Sequence, residues 1–197
     1  MELGLKGKVA IVTGGSEGIG KAAALSLARE GANVVIMARR PEPLERAAQE
    51  IRSAKGGAVL PVPGDVTSPS DIKRVVDEAV RAFGRIDILV NNAGASAAMP
   101  FEQATDQDWA ADLDLKFYAA VRFVRLVAPH MRKTGGGRVI NVTNLGGKAP
   151  GPASVPTSVS RAAGLALTKA LSKDLAKDNI LVTSVCIGAI KSAQNER

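Results

Sequence analysis

One glycine-rich segment near the N-terminus constrains the fold of this chain more than any other feature. Residues 9–13 read Val-Ala-Ile-Val-Thr, which is typical of a buried strand, and residues 21–29 are rich in good helix formers. Between them, three glycines are spaced G-x-x-x-G-x-G: Gly14, Gly18 and Gly20. The segment therefore predicts a strand, a tight turn and a helix, in that order.

Each glycine of this turn has its own predicted task. Gly14 can adopt the positive φ of the turn, and Gly18 has no Cβ to hold a ligand away from the backbone. Gly20 lets the helix pack closely on the strand. The first turn of the helix presents free N–H groups and the positive end of its dipole, where a pyrophosphate binds. We therefore predict a nucleotide site formed by Gly14, Ser16, Glu17, Gly18, Ile19 and Gly20; a turn that binds nothing is the alternative.

Length and composition favour a single soluble globular domain over residues 1–197. The chain has 46% hydrophobic and 23% charged residues, and charges or prolines interrupt every apolar run. The first six residues lack the apolar core of a secretory signal, and the single cysteine, Cys186, has no intrachain partner for a disulfide. We expect a cytoplasmic protein with no membrane span, no metal site and a buried Cys186.

The formal charge of +7 does not predict nucleic-acid binding. Basic residues are spread along the chain, and aromatic residues make up only 3% of it. Nucleic-acid surfaces combine clustered basic side chains with aromatic ones. The charge instead favours a solvated surface and attraction for an anionic cofactor or substrate.

Strand and helix patterns alternate along the whole chain. Beyond the first strand and helix, the predicted strands are 34–37, 58–62, 86–90, 138–143 and 181–187. The predicted helices are 44–54, 68–83, 105–132 and 160–176. This alternation predicts an α/β fold with a doubly wound parallel sheet. Residues 95–102 and 144–157 have loop composition and follow strands, so we expect them at the carboxyl edge of the sheet, where ligands bind.

Two motifs carry a resemblance to a known family. Thr13-Gly14-x-x-x-Gly18-x-Gly20 resembles the cofactor fingerprint of short-chain dehydrogenases/reductases, and Asn91-Asn92-Ala93-Gly94 matches the family motif after the fourth strand. The resemblance covers essentially all of the chain. It implies a Rossmann-like fold that binds a nicotinamide nucleotide, with Asp65 and Val66 beside the adenine and Asn92, Ala93 and Gly94 near the cofactor.

The residues after the second strand favour NADP over NAD. Ala38 stands where NAD-using relatives carry an aspartate, and Arg39 and Arg40 follow it. A guanidinium suits a 2′-phosphate by its charge and its forked donors, so we predict that Arg39 lies near that phosphate. Glu17 argues the other way, because NADP-using relatives often have a basic residue in its place. The alternative is that both arginines are ordinary surface charges.

The four catalytic positions implied by the resemblance all carry unexpected residues. The family's serine, tyrosine, lysine and helix asparagine fall on Asn144, Thr157, Arg161 and Lys116. A threonine hydroxyl does not titrate near neutrality, so Thr157 cannot replace a phenol as acid or base. We expect Lys116 to supply the proton, Arg161 to depress its pKa and Asn144 to orient the substrate oxygen. Such a cationic pocket favours an anionic substrate. The alternative is that Lys116 extends to solvent.

Two residues able to titrate are expected to lie away from this chemistry. Tyr118 is two positions past Lys116 on the same helix, so the two side chains point in different directions. His130 lies at the end of that helix. Ile187-Gly188 also departs from the family's Pro-Gly, and relatives extend well beyond the sixth strand, so we expect the C-terminal part to be missing after Arg197.

Two functions remain open from the sequence. One is an NADP(H)-dependent oxidoreductase acting on a carbonyl or alcohol with non-standard catalytic residues. The other is a catalytically silent nucleotide-binding relative that serves as a sensor or assembly partner. Either is expected to form a homodimer or homotetramer, because helices 105–132 and 160–176 carry apolar residues around much of their circumference. These residues are Phe117, Val121, Val124, Val127, Leu165, Leu167, Leu171 and Leu175.

Overall fold

A computed structural model describes residues 3–188, and in it six strands alternate with six α-helices. The chain's end at Arg197 lies outside this range. The strands are β1 Val9–Thr13, β2 Asn33–Ala38, β3 Val59–Pro63, β4 Ile88–Asn91, β5 Gly137–Asn144 and β6 Ile180–Ile187. The helices are α1 Gly18–Arg29, α2 Pro41–Ser53, α3 Pro69–Phe83, α4 Asp106–Leu113, α5 Ala119–Lys133 and α6 Thr157–Asp174.

The strands form one parallel sheet in the order β3-β2-β1-β4-β5-β6. The predicted doubly wound, Rossmann-like α/β fold is thus confirmed. The strand order reverses between β1 and β4, because β2 and β3 lie on one side of β1 while β4, β5 and β6 lie on the other. In such sheets a ligand binds at this reversal, beyond the carboxyl ends of the strands. The glycine turn after β1 and the Asn-Asn-Ala-Gly segment after β4 both lie there.

Two apolar cores, one on each face of the sheet, fix the positions of the helices. On one face α3 and α5 pack against the strands, with Ile72, Val75 and Phe123 fully or almost fully buried. On the other face α1 and α2 cover the strands through small residues such as Ala24 and through Leu44. Strands covered on both sides are near-continuous in apolar residues, as the run Val9–Val12 is.

Helix ends follow the sequence signals. The Ser68 side chain accepts the N–H of Asp71 at the start of α3, and Gly84 ends that helix in the left-handed conformation. Thr105 and Asp108 form a reciprocal capping box at the start of α4. The predicted starts of these two helices, near residues 68 and 105, lie within two residues of the observed starts. The caps explain this agreement.

The predicted long helix from 105 to 132 is present, but it is not a uniform α-helix. A π-helical turn, Asp114–Tyr118, separates α4 from α5. This turn contains neither glycine nor proline, so local sequence does not explain it. It carries Lys116, whose side chain is only 2% exposed, into the interior. Single π turns of this kind are frequent at functional sites.

Three further residues are placed by the fold. Tyr118 is 49% exposed and turned away from the interior, with its ring against Phe117 and Arg122. His130 is half-buried in the last turn of α5. Cys186 is half-buried rather than buried, because it lies on β6, the edge strand of the described sheet. Across residues 3–188, no helix is both long and apolar enough to cross a bilayer.

Candidate active site and nucleotide-binding turn

The glycine turn presents open backbone at the carboxyl edge of the sheet. Gly14 and Gly18 have φ of +66° and +55°, in the left-handed region that favours glycine. A Cβ built on Gly18 would meet no atom within 4 Å, whereas a Cβ on Gly20 would lie 2.5 Å from Asn92 Nδ2. Gly18 thus leaves room for a ligand, and Gly20 permits the helix to approach Asn92 and the turn itself.

The start of α1 leaves its first N–H groups uncapped. Glu17 is the N-cap residue, but its side chain makes no capping hydrogen bond, and the backbone N–H of Lys21 is the first to bond back, to Glu17 O at 3.3 Å. Ser16 and Ile19 flank this turn as half-buried residues. Uncapped N–H groups at the positive end of a helix dipole form an anion site.

Thr13 and Asn92 hold the two ends of this site together. Asn92 Nδ2 donates to the carbonyl oxygens of Thr13 and Gly14 at 3.0 and 3.3 Å. The Thr13 hydroxyl accepts the backbone N–H groups of Asn92 and Ala93 at 2.9 and 3.0 Å and donates to Val90 O at 3.3 Å. The turn after β1 is therefore fixed to the segment after β4. This role of Thr13 was not predicted from the sequence. The signal available there was a polar threonine at the end of a buried apolar strand, directly before the glycine turn.

Of the two arginines after β2, Arg40 forms an ion pair with the glycine turn. Arg40 Nη2 donates to Glu17 Oε1 at 2.9 Å, and both side chains are more than half exposed. Arg39 is exposed beside them. The chain therefore places one acid and two guanidinium groups at the turn, and the acid neutralises one of the guanidinium groups.

Asp65 and Val66 lie in the loop between β3 and α3. Asp65 Oδ1 accepts both the N–H and the hydroxyl of Thr67 at 2.9 and 2.8 Å, and Val66 is 6% exposed. The Asp65 backbone N–H donates to Asp71 Oδ2 at 2.9 Å. These bonds give the loop a defined shape, and they occupy one of the two carboxylate oxygens of Asp65.

Lys116 is buried in an ion pair, so the alternative that it extends to solvent is wrong. Its Nζ forms an ion pair with Asp112 and donates to Thr157 Oγ1 at 3.1 Å, and the side chains of Lys116 and Asp112 are each 2% exposed. Asp112 also accepts the Ser160 hydroxyl at 2.5 Å. Asp112 and Ser160 were missed from the sequence, although the i,i+4 spacing of Asp112 and Lys116 is typical of helical ion pairs.

Burial lowers the pKa of Lys116, and Asp112 opposes this shift while Arg161 adds to it. Burial also lowers the pKa of Arg161, again opposed by Asp112. Desolvation disfavours a charged ammonium, and a nearby cation disfavours it further. Lys116 therefore gives up its proton more readily than an exposed lysine does. This is the property required of a general acid.

The Thr157 hydroxyl has a free hydrogen. Its oxygen accepts the backbone N–H of Ala97 at 2.8 Å as well as the ammonium of Lys116 at 3.1 Å. A hydroxyl has two acceptor positions and one donor, and neither an amide N–H nor an ammonium can accept in return. Within residues 3–188 no hydrogen bond takes up the Thr157 hydrogen, which is left to donate to a ligand.

Arg161 and Asn144 complete the set of predicted residues. Arg161 Nη1 donates to Val142 O at 2.9 Å, and its Nη2 would lie 3.0 Å from a Cβ on Gly94. Asn144 ends β5, and its buried Oδ1 has no hydrogen-bond partner. The structure thus brings Lys116, Thr157 and Arg161 together, whereas Asn144 makes no hydrogen bond to them. The described residues contain no group of three or more acidic, histidine or cysteine side chains able to hold a metal ion.

Comparisons with curated proteins identify relatives of this chain. It is 38% identical over 135 residues to 11-beta-hydroxysteroid dehydrogenase-like 2 of Arabidopsis thaliana, covering 68% of this chain and 44% of that protein. It is 34% identical over 193 residues to the 3-oxoacyl-[acyl-carrier-protein] reductase FabG of Thermotoga maritima, covering 98% and 78%. The chain spans less than half of the plant hydroxysteroid dehydrogenase-like relatives, between 39 and 47% of their length.

Solved structures of oxidoreductases are also similar to this chain. The L-sorbose reductase of Gluconobacter frateurii, complexed with NADPH and L-sorbose, matches with a TM-score of 0.95 and 37% identity over 98% of this chain and 73% of that one. A 7α-hydroxysteroid dehydrogenase complexed with NADH matches with a TM-score of 0.93 and 32% identity over 98 and 75%. Residues 8–197 match the short chain dehydrogenase family. This chain belongs to the short-chain dehydrogenase/reductase family.

Proposed function

We propose that this protein is a cytoplasmic oxidoreductase that binds NADPH, or less favourably NADH, and interconverts a carbonyl and an alcohol with Lys116 as the proton source. The observation that carries the proposal is the buried contact of Lys116 with Thr157 at 3.1 Å, beside the nucleotide turn. Solved relatives with NADPH and with NADH support a nicotinamide cofactor.

The residues of the turn fit such a cofactor. The open space over Gly18 and the uncapped N–H groups of α1 would receive the pyrophosphate. Asp65 and Val66 would flank the adenine, and Asn92, Ala93, Gly94 and Arg161 would lie on the side of the nicotinamide. A bound nicotinamide would supply or accept the hydride equivalent of the reaction.

The chain's own residues then supply the proton to the substrate oxygen. Thr157 donates its free hydroxyl hydrogen to the carbonyl oxygen as negative charge develops there. The proton that leaves Thr157 Oγ1 is replaced by one from Lys116 Nζ, so that the hydroxyl stays neutral and Lys116 becomes an uncharged amine. The lowered pKa of Lys116 favours this transfer. Asn144, at the end of β5, orients the substrate oxygen by donating from its Nδ2.

The substrate that fits best is a small carbonyl compound with one negative charge. Lys116 and Arg161 contribute two positive charges, and Asp112 removes one of them. The pocket is therefore less cationic than the sequence indicated, because Asp112 was not recognised. One net positive charge still favours an anionic substrate over a neutral ketone. NADPH oxidation with a panel of 2-oxoacids and neutral ketones tests this preference.

The second candidate function is a silent nucleotide sensor or assembly partner. It is favoured by the Lys116–Asp112 ion pair, since a buried pair can also be purely structural. Both functions require nucleotide binding, so turnover separates them. NADPH binding without oxidation by any carbonyl substrate would support the sensor.

Substituting Gly18 by alanine is expected to remove NADPH binding with little loss of stability. The new methyl group would occupy the open space over the turn, and the positive φ of +55° would add a modest strain. Gly84→Ala is the matched control, because Gly84 has φ +74° and equally open surroundings, but caps α3. Both variants should unfold at similar urea concentrations, and only Gly18→Ala should fail in an NADPH fluorescence titration. Equal binding by the two variants would contradict the site.

Neutralising Glu17 is expected to strengthen NADPH binding more than NADH binding. Glu17→Gln releases Arg40 from its 2.9 Å ion pair and removes a negative charge that repels the 2′-phosphate. Arg39→Ala and Arg40→Ala should each weaken NADPH binding far more than NADH binding. Calorimetric titrations of both nucleotides measure these differences. Equal changes for the two nucleotides in all three variants would rule out these residues as determinants of cofactor choice.

We expect a homodimer or homotetramer formed through α5 and α6. Val124, Val127 and Leu175 belong to the domain's own core, so the apolar excess is smaller than the sequence indicated. Half-buried residues remain along the groove between the two helices, including Val121, Leu167 and Leu171. Sedimentation equilibrium at micromolar concentration should give an oligomer, and Leu167→Glu with Leu171→Glu should give a monomer. A monomeric parent would contradict this arrangement.

A further inference from the structure

A small cavity lined by both polar and apolar side chains lies behind the candidate active site, between the ends of β4 and β5 and the helices α5 and α6. Its volume is about 30 Å³, and its polar lining includes Lys116, Thr143, Ser160 and Arg161. A single water needs about 10–15 Å³ measured in this way. The cavity therefore has room for a particle somewhat larger than water, but not for a substrate.

Two buried polar atoms of the cavity-lining residues lack partners. Thr143 Oγ1 and Arg161 Nε are both inaccessible to solvent and make no hydrogen bond within the described residues. Thr143 as a whole is 4% exposed. An Arg Nε–H can only donate, and a hydroxyl can donate as well. Buried donors without acceptors are costly, so both are explained if an acceptor binds in the cavity.

The charges around the cavity do not balance. Asp112 pairs with Lys116, whereas Arg161 has no ion-pair partner among residues 3–188. Its guanidinium remains charged at any pH that the protein tolerates. The Nε of this half-buried side chain is inaccessible to solvent, and a charge there is unfavourable without a counter-ion. Water would satisfy the two free donors but would leave this positive charge uncompensated.

We propose that this cavity binds a small monovalent anion of halide size, held by Arg161 Nε, the Thr143 hydroxyl and the positive charge of Lys116. In the resting protein the anion offsets the positive charge that Asp112 does not neutralise, and it fills the space between the two cations. An anionic substrate that supplies this negative charge competes with the anion. The anion lies behind the Lys116–Thr157 contact, so it stabilises the charged form of Lys116 in the resting protein. The site requires neither cofactor nor substrate.

Two measurements on the full chain test this site. Crystals grown or soaked in sodium bromide should show an anomalous peak within hydrogen-bonding distance of Thr143 Oγ1 and Arg161 Nε. Sodium chloride and bromide should raise the thermal midpoint by about 2–4 °C over sodium gluconate of equal ionic strength, as expected for a Kd of about 20 mM at 0.1 M salt. Thr143→Val should abolish this specific shift. Thr183→Val, the same change at an exposed position of β6, should retain it.

The site is refuted by a water molecule refined in the cavity of bromide-soaked crystals without an anomalous peak. It is equally refuted if gluconate stabilises as much as halide, or if Thr143→Val responds like Thr183→Val. Should Thr143→Val fail to fold, the anomalous experiment on the parent protein still decides the question. Because neither experiment uses nucleotide or substrate, failure here is distinct from failure of the proposed oxidoreductase activity.

Discussion

Introducing a tyrosine at position 157, with the other family residues, is expected to raise the kcat for carbonyl reduction by about 10²-fold, the lower end of what general acid catalysis contributes. A phenol can titrate at accessible pH, whereas the Thr157 hydroxyl can only pass on a proton from Lys116. Lys116 Nζ lies 3.1 Å from Thr157 Oγ1, so the aromatic ring needs the space that Lys116 occupies. The variant therefore combines Lys116→Asn, Asn144→Ser, Thr157→Tyr and Arg161→Lys.

The control for this variant carries phenylalanine instead of tyrosine at position 157 in the same background. It has the same ring volume and lacks only the hydroxyl. Steady-state NADPH oxidation with a panel of carbonyl compounds compares the two variants with the parent. A tyrosine variant no faster than its phenylalanine counterpart would show that position 157 does not lie at the reacting oxygen.

Replacing Asp112 by alanine is expected to lower the free energy of unfolding by about 3–5 kcal/mol. The substitution leaves the Lys116 ammonium buried without its counter-ion and removes the acceptor of the Ser160 hydroxyl. A buried charge that loses its partner costs far more than a surface pair. Urea unfolding of the parent and the variant measures the difference.

Asp114→Ala provides the comparison on the same stretch of helix. Asp114 pairs with Arg122 at 2.7 Å, with side chains 32 and 27% exposed, so its removal should cost no more than about 1 kcal/mol. Adding Lys116→Met to Asp112→Ala removes the second charge as well and should recover much of the stability. An Asp112→Ala variant as stable as Asp114→Ala would mean that Lys116 is not held as a buried ion pair.

The fold was predictable because each helix and strand has its own hydrophobic periodicity and its own residues that mark where it begins or ends. The apolar run before Gly14 and the caps at Ser68 and Thr105 are local signals, and the structure satisfies them with local geometry. The π turn at Asp114–Tyr118 was not predictable, because it holds no glycine or proline and its partners come from α6. A helix pattern shows which residues share a face but not where a turn widens.

The candidate site was predictable in three of its members but not in its electrostatics. Lys116, Thr157 and Arg161 come together as the resemblance implied, whereas the charge that governs Lys116 comes from Asp112. The ion pair of Glu17 with Arg40 rather than Arg39 depends on the path of the chain after β2. Residue spacing does not reveal a partner on another element, as Glu17 is for Arg40. The i,i+4 spacing of Asp112 and Lys116, in contrast, was visible in the sequence.

The measurement that tests the central claim most directly is the kcat of Lys116→Met at saturating NADPH, beside the parent. Lys116→Met retains the side-chain volume and loses the proton, so we predict a fall of about 10²-fold in kcat with unchanged affinity for NADPH. Asp112→Asn/Lys116→Met, which leaves neither buried charge, should be equally slow and thereby exclude a folding defect. A parent that turns over at ordinary rates, undiminished by Lys116→Met, would contradict the assignment of Lys116 as the proton source.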